Sequence, residues 1–398
     1  MIAAKMIQLG KKRTSIRELF EYGVQRSAVV GKENIFDYSI GNPSVPAPEE
    51  IREILRDLLQ EDSLMLHGYT AASGRDAARE AIARDLSQRT GTTVRSERIY
   101  LTCGAAPAII SAIKALAVPG AEIMALAPYF PEYPMYIKFS GAKMVVVPPD
   151  TDAFQISIDQ VEERLTPHTQ AIIVNSPNNP SGMIYSTQTL EKLAKLLTRK
   201  SYEYGHPIYI ISDEPYRELV FDGAEVPYIP KIYPNTVICY SYSKSLSLPG
   251  ERIGYVYVPD CAADSSDLFA AVVGASRTLG HVCAPSLMQL VIARSTELRP
   301  DVAVYDRNRK LLYGALTKMG YECVNPMGAF YMLVKAPGGN AKLFSEQAKR
   351  ENLLIVPGDE FGCPGYCRMS ICVDYDMICR SLPVFERLLQ KTRGKSKS

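Results

Sequence analysis

Thr236-Val-Ile-Cys-Tyr240-Ser241-Tyr-Ser-Lys244-Ser-Leu-Ser-Leu-Pro-Gly-Glu-Arg252-Ile-Gly-Tyr-Val-Tyr-Val258 is the stretch from which the architecture of this chain can be read. Two β-branched and aromatic runs, Thr236 to Tyr240 and Ile253 to Val258, read as buried strands, and the turn of small residues between them carries one lysine. At the mouth of a sheet Lys244 loses hydration, which disfavours its charged form; a neutral amine attacks carbonyls to form a Schiff base. Ser241 and Arg252 add a hydroxyl and a fixed cation able to meet a phosphate on the same ligand. The combination points to pyridoxal phosphate. An isolated Ser-x-x-Lys is more often a solvated loop, so the rest of the chain decides.

Outward from this stretch, residues 98 to 260 alternate short β-rich runs with helical patterns, the signature of a mostly parallel sheet flanked by helices. The predicted strands are Ile99 to Thr102, Glu122 to Leu126, Met144 to Val147, Ala171 to Asn175, Ile208 to Ser212 and the two already named. Helical patterns cover Glu49 to Gln60, Gly74 to Thr90, Ser265 to Gly280 and Ser286 to Met319. Ala329 to Val334 and Cys367 to Val373 read as strands separated by a helix at Ala341 to Arg350, a smaller α+β module. The expected fold class is therefore α/β, with a seven-stranded sheet in a large domain at 46–290. A small domain is formed by 1–45 and 291–398.

Ligands of open α/β sheets bind beyond the strands' carboxyl ends, and here those exits concentrate reactive side chains. Asp213 ends a buried strand, where an anion would keep a pyridine ring protonated; Tyr216 and Asn179 are placed to bond a phenolic oxygen. Gly104, Ala105 and Ala106 open a helix whose free N–H groups suit a phosphate. Phe130 offers a face for ring stacking, with Tyr129 as its competitor.

The bulk numbers exclude several classes of function. A chain of 398 residues with formal net charge +2 and interleaved acids and bases has no electrostatic footprint for nucleic acid or an anionic membrane. Only the end, Lys391 to Ser398, is locally basic, and it reads as a frayed terminus. Nine cysteines, several inside apolar runs, suggest a reducing cytoplasm. Cys363, Cys367, Cys372 and Cys379 lack the spacing of a zinc site, and His67, His168, His206 and His281 form no metal-ligand pattern, so no metal is expected. No apolar stretch is long enough to span a bilayer, and the N-terminus does not read as a signal peptide.

Taken together, Asn178-Asn179-Pro-Ser-Gly182, Asp213-Glu-Pro-Tyr216, Ser241-x-Ser-Lys244 and Gly250-Glu-Arg252-x-Gly254 resemble, in order and placement, the motifs of the class I/II pyridoxal-phosphate-dependent aminotransferases of fold type I. The likeness spans nearly the whole chain. It implies that Lys244 forms the Schiff base with the cofactor and shuttles the substrate's α-proton, and that Arg368 holds the substrate carboxylate. It also implies that Gly41 lies in a substrate-contacting loop and that Tyr69 reaches a phosphate across a homodimer interface, so that the active site is shared. Glu251 and Ala106 depart from patterns in the family. Ala106 stands where some aspartate-preferring relatives have lysine, leaving a dicarboxylate preference unsupported and Arg277 as the remaining candidate cation.

The implied reaction is ping-pong transfer of an amino group from an L-amino acid to a 2-oxo acid. The nearest rival is a β-elimination lyase on the same scaffold. A transcription regulator that borrows the fold would need a DNA-binding domain for which the N-terminal segment leaves no room. A nicotinamide dehydrogenase would need a G-x-G-x-x-G turn after the first strand.

Overall fold

Each of the seven apolar runs forms a strand in the computed structural model, which describes residues 2–395: Ile99–Thr102, Glu122–Leu126, Lys143–Val147, Thr169–Asn175, Tyr209–Asp213, Thr236–Ser241 and Gly254–Tyr257. They make one sheet in the spatial order 99–102, 254–257, 236–241, 209–213, 169–175, 122–126, 143–147. Gly254–Tyr257 runs antiparallel to both neighbours, and every other pairing is parallel. The inner strands are buried on both faces, which is why they read as continuous apolar runs. Alternation along a strand sends Ile211 to the side covered by helices Ala105–Leu116 and Ser265–Thr278, and Ile210 to the side covered by helix Thr187–Tyr204.

Register brings the chemistry together. Asp213 lies opposite Asn175 on one side and Cys239 on the other, and Ser241 lies opposite Gly254. The parallel strands therefore all deliver their carboxyl ends to one edge of the sheet.

A second, three-stranded antiparallel sheet contains Val356–Pro357, Tyr366–Ser370 and Tyr331–Lys335 in the order 356–357, 366–370, 331–335. The short strand Phe36–Asp37 pairs in parallel with Leu353–Leu354, tying the N-terminal segment to this region. Tyr38, Phe330, Phe344 and Phe385 are buried in a common core with helices Ala303–Met319 and Tyr375–Lys395.

Three sequence expectations change. The helix predicted over Ser286 to Met319 divides into Ser286–Ala293 and Ala303–Met319. Pro300 has no N–H to continue a helix and restricts Arg299 before it. Arg294 and Arg299 in the break instead pair with Glu61 and Asp85 at 2.5 and 2.8 Å. The basic end is helical through Lys395, with Lys391 bonded to Glu351 at 2.5 Å, while residues 396–398 lie outside the described part. Helices Ala4–Lys11 and Ser15–Val30 precede the first strand, where the sequence suggested no element.

Behind the sheet edge sits a cluster of buried charges. Arg217 bonds Glu214 at 2.8 Å, Glu218 at 3.3 Å and the Tyr255 hydroxyl at 3.1 Å, and stacks on Tyr240. Arg89 adds a second bond to Glu218 at 2.7 Å. The cluster clamps the segment after Asp213 onto the two strands that flank Lys244. Arg217→Met would leave the buried Glu214 without a cation and Glu218 with Arg89 alone, so it is expected to lower stability by about 3–5 kcal/mol in urea unfolding; a loss under about 1 kcal/mol would show that the cluster is solvated.

Candidate active site

At the carboxyl edge of the large sheet lies a cavity of about 190 Å³ lined by Ala105, Ala106, Phe130, Asn179, Asp213, Tyr216, Ser241, Lys244 and Arg252. All nine are residues to which the sequence pointed. Gly41, Gly104 and Arg368 stand directly behind them through the contacts given below. Tyr69 does not join this group: it is wholly exposed on the surface.

The turn after strand Thr236–Ser241 is one short helical turn, Tyr242–Ser245, begun when Ser241 Oγ accepts from the N–H of Ser243 at 3.2 Å. It points Lys244 inward, where Nζ donates to the carbonyl of Gly41 at 2.8 Å and sits 5.2 Å from the centre of the Phe330 ring. Burial pushes the amine down to about 8; the nearby Cys372 thiol opposes this, and the Arg368 and Arg252 cations reinforce it. The lysine thus keeps an appreciable neutral fraction near neutral pH.

Asp213 has one oxygen occupied and one not. Oδ2 accepts from the Tyr133 hydroxyl at 2.5 Å, whereas Oδ1 is buried without a donor. Burial raises its carboxyl to about 7, with the Tyr133 bond opposing and Glu214 adding to the rise. A cationic N–H aimed at Oδ1 would both satisfy that oxygen and restore the carboxylate. The protonated ring nitrogen of a pyridoxal cofactor is such a donor.

The asparagine loop is held from within. Asn175 donates to the carbonyl of Asp213 at 2.9 Å and accepts from the N–H of Asn179 at 2.7 Å. Asn179 Oδ1 accepts from Arg368 at 3.2 Å, which leaves its amide N–H₂ free to face the cavity. Tyr216 donates to the Tyr331 hydroxyl at 3.3 Å and packs edge-on against Phe330 and Tyr331.

For a phosphate, the chain offers the start of helix Ala105–Leu116, Ser241 and Arg252. Gly104 has φ +95°, and a Cβ there would lie 2.6 Å from the Arg252 guanidinium, so only glycine lets the cation cover the helix start. Arg252, itself at φ +53°, is anchored to the Pro249 carbonyl at 3.0 Å. Phe130 lines the cavity and Tyr129 does not: the backbone of Tyr129 bonds Phe361 and its ring lies beside Gly362.

Arg368 is 2 % exposed, and its polar partners are neutral: the Ser39 carbonyl at 2.5 Å and the Asn179 amide. Its Nε has no partner. Burial lowers the basicity of this guanidinium, with Tyr331, Tyr216 and Cys372 opposing, so a carboxylate ligand would compensate a desolvated cation. Arg277, in contrast, is exposed on helix Ser265–Thr278 and lines no part of the cavity.

Tyr133, Tyr136, Asn175, Ser243 and Tyr331 also belong to this neighbourhood and were not singled out from the sequence. Tyr133 and Asn175 lie within the loaded strand exits, so position alone could have flagged them. Tyr331 lies inside an apolar run and reads as core.

The family model described as Aminotransferase class I and II matches residues 33–382. The aspartate aminotransferase of Thermotoga maritima is 28% identical over 380 residues, covering 94% of this chain and 97% of that protein. Aromatic-amino-acid aminotransferase 2 of Thermococcus litoralis is 27% identical, covering 96% of each. Among solved structures, an amino transferase from Eubacterium rectale superposes with a TM-score of 0.97 at 52% identity, covering 98% of this chain and 99% of that one. Aspartate aminotransferase from Thermus thermophilus with maleate gives 0.85 at 26% identity, covering 98% and 100%.

The raised carboxyl of Asp213 has a signed consequence for the cofactor-free chain. The folded state holds a proton there that the unfolded state releases at about pH 4, so this group's contribution to stability falls as pH rises from about 4 to about 7. Asp213→Asn removes that term. Its stability relative to the parent, followed by thermal unfolding across pH, should grow through this interval and then level off; a flat difference would mean that Asp213 ionises normally.

Proposed function

The chain belongs to the class I and II aminotransferases and is an enzyme of amino-group transfer, and from that premise we propose that Lys244 binds pyridoxal phosphate and moves the proton that transfer requires. The family depends on this cofactor. When bound, it supplies an aldehyde that condenses with amines and a protonated ring that draws electrons from the carbon bearing the amine. The observation that carries the assignment is a largely buried amine, bonded to a carbonyl rather than a carboxylate, and an unpaired buried carboxylate oxygen lining the same small cavity.

In this reading Asp213 Oδ1 accepts the ring N–H, and Tyr216 and the free amide of Asn179 bond the phenolic oxygen. Ser241, Arg252 and the N–H groups at Gly104, Ala105 and Ala106 hold the phosphate, and Phe130 stacks on the ring. Arg368 grips the substrate's α-carboxylate in a two-pronged bond, with Gly41 beside it. Lys244 Nζ takes the α-proton as a general base and returns it as a general acid. An L-amino acid leaves as a 2-oxo acid, and a second 2-oxo acid accepts the amino group in the returning half of a ping-pong cycle. The relatives described above are aminotransferases, which favours transfer over β-elimination. Among the described residues, the cations lining the cavity are Lys244 and Arg252, both assigned above, so the lining offers no further cation for a side-chain carboxylate.

The protein is proposed to work as a homodimer with a shared site. Supporting this, Tyr69 is wholly exposed and Leu64, five residues before it, is 84% exposed. The proposed division is a large domain at 46–290 and a small domain of 1–45 and 291–398; the pairing of Phe36–Asp37 with Leu353–Leu354 supports it. No helix of the described residues is long and apolar enough to cross a membrane. All nine cysteines are unbridged, which supports a reducing cytoplasm.

With pyridoxal phosphate added, amino acid donors should bleach the visible absorption of the parent, and 2-oxoglutarate should restore it. Lys244→Ala should lose more than about 10²-fold in turnover. Arg368→Leu should raise KM for the donor far more than Asp213-distant surface changes do. Near-normal turnover in Lys244→Ala, or ammonia release without an acceptor, would defeat the reading. A fully active monomer in sedimentation would defeat the shared site.

A further inference from the structure

Tyr331 is 3 % exposed and lies in an apolar strand, yet three parts of the site converge on it. Its hydroxyl takes the hydrogen bond of Tyr216 at 3.3 Å. A Cβ built on Gly41 would stand 1.8 Å from that same oxygen, so the hydroxyl is lodged against the segment whose carbonyl receives Lys244. Its ring centre lies 4.5 Å from the Arg368 guanidinium carbon. Strand register explains the last contact. Tyr331 is directly opposite Ser370, which makes Arg368 its diagonal neighbour on one face of the sheet.

Packing alone does not account for a tyrosine here. Phenylalanine would fill the same volume without burying a hydroxyl, and a buried hydroxyl is costly unless it is bonded. The hydroxyl is bonded, and its partner is the phenol assigned above to the cofactor. Gly41 has the matching constraint, since any side chain there would collide with Tyr331.

Building on the reading of Lys244, Tyr216 and Arg368 given above, we propose that Tyr331 is a positioning residue for the transfer reaction. Its hydroxyl holds Tyr216 and the Gly41 segment in register, and its ring supports Arg368 in the orientation that meets a carboxylate. When Tyr216 donates to the phenolic oxygen, Tyr331 donates to Tyr216, and each bond of the chain strengthens the next. The ionisable groups acting on Tyr331 are Arg368, Cys372 and Tyr216.

The test uses the pyridoxal-phosphate-loaded protein and reads the pH midpoint of its visible absorption change. Tyr331→Phe keeps the ring but weakens donation from Tyr216 to the phenolic oxygen, so the midpoint should rise by about half a pH unit. In a Tyr216→Phe background the same substitution should produce no further shift, because its effect passes through the missing hydroxyl. Propionate binding, followed by the same band, should weaken about tenfold in Tyr331→Leu and less than about twofold in Tyr331→Phe, since only leucine removes the ring beneath Arg368. An unshifted midpoint in Tyr331→Phe, an equal shift without Tyr216, or parent-like propionate binding in Tyr331→Leu overturns the proposal. A parent with no visible band at all sinks the underlying assignment of Lys244 and the role of Tyr331 with it; a parent that titrates beside an unshifted Tyr331→Phe overturns the positioning role alone.

Discussion

Desolvation is the constraint on which the site depends. Lys244, Asp213 and Arg368 are each removed from water without a full-strength ionic partner, and each is perturbed first by burial. A sheet covered on both faces is what makes this possible, because its parallel strands end together in a crevice already enclosed by helices. The same dryness that weakens the lysine's charge strengthens any interaction these groups make with a ligand. The fold therefore contributes to the chemistry by withholding water as much as by aligning side chains.

Around those groups stands a supporting layer made mostly of neutral hydrogen bonds. Asn175 fixes the asparagine loop, Tyr133 fixes one side of Asp213, and Ser243 shares a 2.6 Å bond with Ser241. Charged support is kept one layer further back, in the Arg217 cluster, where it can brace the loop after Asp213 without competing for the ligand. The distinction is physical. A second carboxylate inside the cavity would neutralise Arg368 or Lys244 before substrate arrived.

Much of this was legible in the sequence because buried parallel strands announce themselves as apolar runs, and because their exits carried residues too reactive to be mere connectors. All seven strands were visible on that basis, and nine of the cavity-lining residues were reached from the strand exits and the motifs beside them, whereas Tyr136, Asn175 and Ser243 were not. What was hidden had different causes. The break between Ser286–Ala293 and Ala303–Met319 was masked by apolar spacing that continues on both sides, although Pro300 was in plain view. The N-terminal helices bury little and so left a faint pattern. Tyr331 could not be told from a core aromatic, because only the folded geometry reveals that its hydroxyl meets Tyr216. Tyr69 is the reverse case: its proposed use lies in another subunit, and a single chain gives it no partner.

The pairing of Phe36–Asp37 with Leu353–Leu354 has a consequence for biosynthesis. A ribosome emits the earlier strand and must add 317 residues, 353 − 36, before the complement exists. At roughly 5–20 residues per second that is a wait of roughly 15–60 s. Throughout it Phe36 and Tyr38 lack the later core they join, although the last strand of the central sheet, Gly254–Tyr257, is made well before Leu353. Nascent-chain lifetime with that apolar segment unshielded, rather than the stability of the finished molecule, sets its exposure to chaperones and to aggregation.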